Sequence, residues 1–166
     1  MTMGKFSIYN RNKALQYAHK WAYERNPSYY DFSKVGGDCT NFASQVLYAG
    51  TGIMNYTPVT GWFYIDGNKR TASWTGVPFF YNFVTANHGA GPFGEEVELR
   101  NVEPGDFIQL ALKGEDFTHT LAVVSTGPVP GINNVLIAAH SYDADDRPLR
   151  SYSIEKLRCI HILGYR

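Results

Sequence analysis

Gly36-Gly37-Asp38-Cys39-Thr40-Asn41-Phe42-Ala43-Ser44-Gln45 is the stretch on which the reading of this chain turns. Two glycines break the preceding structure, Asp38 is a favoured helix N-cap, and the residues after it predict a helix to about Tyr48, stopped by Gly50. Phe42, Ala43, Val46 and Leu47 form its apolar face. Cys39 lies three and four residues before the first two, so it shares the core-facing side of the first turn. Unpaired backbone N–H groups and the helix dipole stabilise a thiolate at that position, and the residue's own N–H can serve an oxyanion hole. A small buried residue that merely begins a helix has the same local sequence, so Cys39 needs partners elsewhere in the chain.

Upstream, Ala14, Tyr17, Ala18 and Trp21 recur at helical spacing behind Asn10, a plausible N-cap, and predict a helix over 10–25 that ends at Asn26-Pro27-Ser28. An aromatic loop, Tyr29-Tyr30-Asp31-Phe32, leads on to the two glycines. Residues 51–100 are rich in Gly, Pro, Asn and aromatics, and only a short helix over 77–86 stands out. From Val102 the pattern turns to short alternating runs over 107–112, 117–125, 135–141 and 159–165, separated by turn residues. Helices first and an antiparallel sheet later make this an α+β chain, expected to fold as one domain over 1–166.

The first partner for Cys39 is His119, in Thr118-His119-Thr120-Leu121-Ala122-Val123-Val124. It shares a strand face with Leu121 and Val123 and stands just after a turn, where an imidazole reaches a cleft edge and can act as base to a thiol. The second is His140, which ends the run Leu136-Ile137-Ala138-Ala139. On a neighbouring strand it could hydrogen-bond His119 and fix its tautomer. Asp143 competes for that role; His140 is preferred because it sits on a strand, whereas Asp143 lies in a turn with Asp145 and Asp146. No HxxxH, CxxC or EF-hand spacing is present, so neither a metal nor another cofactor is expected. His19, His88 and His161 have no partner signal and read as surface or packing residues, and Cys159 as a buried strand residue.

At 166 residues with 44% apolar and 18% charged residues, the composition is that of a globular domain. Fifteen basic residues balance fifteen acidic ones without a basic tract, which excludes nucleic acid as an implied partner. No apolar run is long enough to span a membrane, and residues 1–10 lack the layout of a signal peptide. Twelve Tyr, ten Phe and three Trp supply aromatics for a core or for a ligand groove.

The three elements together resemble the amidase domain 6 group of bacterial domains, relatives of the NlpC/P60 and CHAP peptidoglycan hydrolases. The Gly36–Gln45 decapeptide resembles their nucleophile motif, Pro104-Gly105-Asp106-Phe107-Ile108 their strand entry, Thr118–Val124 their histidine strand, and Ala139-His140-Ser141 the strand of their third polar residue. The resemblance implies a papain-like α+β fold, with N-terminal helices on a C-terminal antiparallel sheet, and hydrolysis of an amide bond in bacterial cell-wall peptide. It implies Cys39 as nucleophile, His119 as base and His140 as orienting group. The chain departs from NlpC/P60 in reading Asp-Cys-Thr-Asn where those proteins have Asp-Cys-Ser-Gly.

The mechanism expected on this basis is a thiolate–imidazolium pair acting on wall peptidoglycan, in a secreted or wall-associated monomer or in a domain of a longer or phage-encoded lysin. Tyr30, Asp38, Trp62 and Trp74 are expected to contact substrate, with Tyr29, Phe32 and Tyr64 as further groove walls. The competing readings are a papain-like acyltransferase and a non-catalytic wall-binding module.

Overall fold

The computed structural model describes residues 4–166, so residues 1–3, the beginning of the stretch read for a leader, lie outside the described residues. Helix α1 (Arg11–Trp21) opens where the Asn10 side chain accepts from the Lys13 N–H, and it buries Ala14 and Ala18. It stops four residues short of the expected end. Helix α2 (Cys39–Thr51) is the central element, with eleven of its 13 residues buried. Gly50 does not end it. The ring of Tyr9 lies against the helix there, and a Cβ on residue 50 would come within 2.2 Å of that ring. The stop is Gly52, in the left-handed conformation that glycine tolerates, with its N–H returned to the Tyr48 carbonyl.

A small hairpin (β1, Tyr64–Asp66; β2, Lys69–Arg70) and two helices (α3, Ala72–Thr75; α4, Val77–Ala86) fill the middle of the chain. The strands that follow are β3 (Pro92–Val97), β4 (Phe107–Ala111), β5 (His119–Ser125), β6 (Leu136–Ala139), β7 (Ala144–Pro148) and β8 (Lys156–Tyr165). They form one antiparallel sheet in the order β3-β8-β4-β5-β6-β7. The α+β expectation holds. Beyond the small hairpin, the two strands of this sheet that the sequence pattern did not reveal, β3 and β7, are its edges. Edge strands have one hydrogen-bonding side open to water and carry polar, Gly- and Pro-containing sequences, so they lack the apolar alternation of inner strands.

Alternation along the inner strands sorts their side chains between two cores. Phe107, Ala122, Val124, Ala138 and Ile160 face the helices and meet Phe42, Val46, Leu47 and Phe80. Ile108, Leu110, Leu121, Val123, Ile137 and Cys159 face the other way and are covered by Val102, Val135 and Leu149. Cys159 is thus the buried strand residue expected, and both cysteines are free thiols.

The tryptophans expected to wall a groove are core residues instead. Trp62 and Trp74 are wholly buried against each other, ring centroids 4.6 Å apart, between α2 and the α3–α4 segment. Trp62 Nε1–H donates to Ser44 Oγ and Trp74 Nε1–H to Asn41 Oδ1. Large aromatics with one polar atom each find both their packing and their hydrogen bond in the core, which leaves nothing to offer a ligand. Tyr64 and Phe32 are buried as well, and Tyr29 stacks on Trp74.

Candidate active site

The approach to α2 is fixed by backbone geometry first. Gly36 and Gly37 have φ of 83° and 97°, a region that a side chain at either position would strain. The Asp38 N–H donates to Ser141 Oγ, at the end of β6. Asp38 occupies the N-cap position, yet its carboxylate makes no cap bond. It accepts instead from the Phe32 N–H at 2.8 Å and the Asn41 side-chain amide at 2.9 Å, and it meets His140 Nδ1 at 2.5 Å. At 1% exposure Asp38 cannot touch substrate, contrary to expectation. Its work is to tie the loop, the helix start and the sheet end together.

His140 completes that tie. Its ring stacks on Phe42 with centroids 4.0 Å apart, and Nε2 lies 2.8 Å from the Trp21 carbonyl oxygen. Both ring nitrogens therefore face oxygen acceptors that belong to other elements. His140 shares the helix-facing side of the sheet with Ala138, whereas His119 shares the opposite side with Leu121 and Val123. The expected hydrogen bond from His140 to His119 is not formed. Asp143 does not substitute for it, because both its oxygens accept from the Arg25 guanidinium.

The segments that carry Cys39 and His119 are joined by a direct contact. Thr40, beside Cys39, shares a 2.9 Å hydroxyl–hydroxyl hydrogen bond with Thr120, beside His119. This contact seats the first turn of α2 on the first residues of β5. Burial pushes the Cys39 thiol up, while the Thr120 N–H and the Thr40 hydroxyl and N–H act against that shift. Burial, with the nearby Arg147 charge, pushes His119 down to about 4. Burial thus works against the charged form of each group, the thiolate and the imidazolium alike. Among the described residues His119 makes no side-chain hydrogen bond. Its nitrogens are also not among the fully enclosed unpaired atoms, so solvent reaches them.

Residues 8–163 match the family model described as "Putative amidase domain", the amidase domain 6 group. The chain belongs to the amidase domain 6 family. It is also 35% identical over 147 residues to "Uncharacterized protein YhbB" of Bacillus subtilis (strain 168), a match that covers 85% of this chain and 44% of that protein. The chain thus spans less than half the length of that relative. No solved structure matches it significantly.

Two residues of this amidase domain join the site without any signal in the sequence. The Tyr152 ring lies 5.8 Å from that of His119, and its hydroxyl is within electrostatic reach of Cys39. The Arg147 guanidinium carbon lies over that tyrosine ring, 3.7 Å from its centroid, and Nε donates to Ser151 Oγ. The Tyr152 hydroxyl is enclosed and makes no well-formed hydrogen bond among the described residues, although the Arg147 guanidinium is close enough to interact with it. Arg147 sits on β7, the edge strand that read as a solvated turn, and Tyr152 follows a short 3-10 turn, so neither could be placed beside His119.

Of the expected substrate contacts only Tyr30 is open, at 51% exposure. It lines a cleft of about 610 Å3 with Phe32, Val35, Asp66 and Arg70, on the loop that leads to Cys39. Two clusters have the residue types of a metal site: His19, Asp145 and Asp146, and Glu103, Asp106 and His161. Both are already engaged. His19 pairs with Asp145 on the surface, and Asp106 is saturated by Arg11, two backbone N–H groups and His161. His161, expected to be a packing residue, is a member of that buried network.

Among the described residues no helix is long and apolar enough to cross a membrane.

Proposed function

We propose that this amidase-family domain is a cysteine hydrolase of papain-like type, akin to NlpC/P60 and CHAP enzymes, that cleaves an amide bond in bacterial cell-wall peptidoglycan. The observation that supports this reading is the hydrogen bond between Thr40 and Thr120, which joins the first turn of α2, where Cys39 stands, to the start of β5, which His119 opens. The bond is the N-acetylmuramoyl-L-alanine amide or one within the stem peptide, and the domain works outside the cytoplasm or against a wall.

Chemistry starts from Cys39 and His119. As the Cys39 sulfur bonds to the amide carbonyl carbon, its proton passes to His119, and the oxygen takes the negative charge. The Cys39 N–H heads α2 and lacks an intrahelical partner, so it is free to donate to that oxygen. His119 then returns the proton to the leaving nitrogen as the C–N bond breaks, and water, deprotonated by His119, releases the acyl group from sulfur. Asp38 and His140 act as positioning residues, holding the helix start to the sheet. Tyr30 contacts the peptide on the way in.

The test is digestion of purified peptidoglycan by the wild type and by Cys39→Ala, with mass spectrometry of the fragments. New amine ends from the wild type alone support the reading and name the bond. Equal release by both proteins removes Cys39 as nucleophile. Inertness of both on several walls removes the substrate.

A further inference from the structure

Away from Cys39, helix α4 carries a second stripe of residues beside its packed one. Phe80 and Val84 turn into the core, while Phe79, Asn82, Phe83 and Ala86, spaced as i, i+3, i+4 and i+7, line a cavity of about 570 Å3. The facing wall is the turn from Thr57 to Gly61, pinned by the bridge between Asn55 and Trp62. That volume lies within the range of small-molecule sites. None of its lining residues is shared with the cluster around Cys39.

Three features say what fits. No Lys, Arg, Asp or Glu lines the cavity, so a charged ligand would find no counter-ion there. The side chains of Thr57, Thr60, Asn82 and His88 border it and make no hydrogen bonds among the described residues, whereas the Asn55 and Asn87 amides are spent on backbone groups. Phe79, 53% exposed, presents a ring as a flat apolar platform. At the rim, Val59 is 86% exposed with φ of 65°. A β-branched residue held in the left-handed region is strained, and such strain collects at ligand sites.

We propose that this cavity is a binding subsite for a neutral saccharide, with the ring of Phe79 under the apolar face of a sugar and Asn82, His88 and the two threonines on its hydroxyl and acetamido groups. The choice of an N-acetylhexosamine rests on the wall-substrate reading; the choice of a neutral polyhydroxylated ligand does not. A stem peptide, with its free carboxylates, has no cation to meet here. The domain would then hold the glycan with one surface and cut the peptide with another.

The experiment is a heteronuclear NMR titration of the Cys39→Ala protein with chitotetraose, and separately with a sugar-free stem peptide. Because the protein is inactive by design, the result does not depend on whether the chain cleaves peptidoglycan. Chitotetraose is expected to shift resonances of Phe79, Asn82 and His88, and Phe79→Ala and Asn82→Ala to weaken binding about tenfold or more. Both side chains are exposed, so an unchanged Tm separates lost contact from lost fold. No shift at these residues, shifts only around Tyr30 and Arg70, or stem peptide binding in place of the sugar overturns the proposal. Binding of cellotetraose as tightly as chitotetraose keeps the saccharide and overturns the acetamido preference.

Discussion

His119 and His161 lie two strands apart in one sheet, and their surroundings are opposites. His161 donates to Asp106, whose carboxylate also takes the Arg11 guanidinium and the N–H groups of Glu103 and Ile162. Every strong polar group in that network has a partner, and the hydrogen bond to Asp106 raises the His161 pKa. His119 has burial without partners, next to the ring of Tyr152, whose hydroxyl makes no well-formed hydrogen bond. Saturated networks hold a fold together; unsaturated ones leave capacity for a reacting group. The Pro104-Gly105-Asp106 motif belongs to the first kind and the Cys39 turn to the second.

The comparison breaks most sharply in activity. Cys39→Ala should lower peptidoglycan turnover by roughly 10³-fold or more, as loss of a nucleophile does, while a urea melt shows no loss of stability. A residual rate near that of wild type would place the reaction elsewhere. Asp106→Ala should do the reverse. It leaves the Arg11 charge and two backbone N–H groups without their acceptor, at a cost of about 3–5 kcal/mol in denaturant unfolding, with turnover per folded molecule retained. Intact stability would show that the network is not the staple its geometry describes.

The two histidines should also answer pH with opposite signs. In the unfolded chain His119 takes a proton near 6.5, and in the fold only near 4. Its neutral form favours folding above pH 6.5, and that contribution, of order 3 kcal/mol, is lost as pH falls towards 4. His161, raised, stabilises below its unfolded pKa and loses that as pH rises through its folded value. Unfolding free energies of the wild type and His119→Asn between pH 7 and 4 test this. The variant should show a shallower acid decline, and parallel curves would count against a neutral buried His119. The smallest effect is expected from Tyr152→Phe. Removing an enclosed hydroxyl that lacks a well-formed hydrogen bond should raise stability by about 1 kcal/mol. A fall instead would reveal a partner for that group.

Legibility in the sequence followed burial. Helix α4 and the inner strands could be read because both their faces or their stripes are apolar, and the α2 start because glycine, a capping residue and an apolar face coincide. Both edge strands were hidden by their polar composition, and Arg147 with them. Cys39 and His119 lie at the helix start and strand start expected; His140 falls in the turn just past β6, not on the strand, and the pairing of the two histidines was misjudged. Period-two alternation puts residues 119 and 140 on opposite faces once the register sets Ala122 across from Ala138. That register is not written in either strand alone. Trp62 and Trp74 misled because an aromatic in a Gly-rich stretch has the same sequence context whether it walls a groove or fills a core.

The strand order has a consequence for how the chain is made. β8 comes last yet lies between β3 and β4. On a ribosome, β4 emerges with one hydrogen-bonding side bare and must wait for its neighbour, a delay of several seconds at about 5–20 residues per second. Throughout that interval the nascent sheet exposes the kind of edge that recruits other chains, which makes a holding chaperone useful to this protein. A protease clip or premature stop in residues 156–165 therefore takes out an inner strand and cuts β3 off from the rest of the sheet.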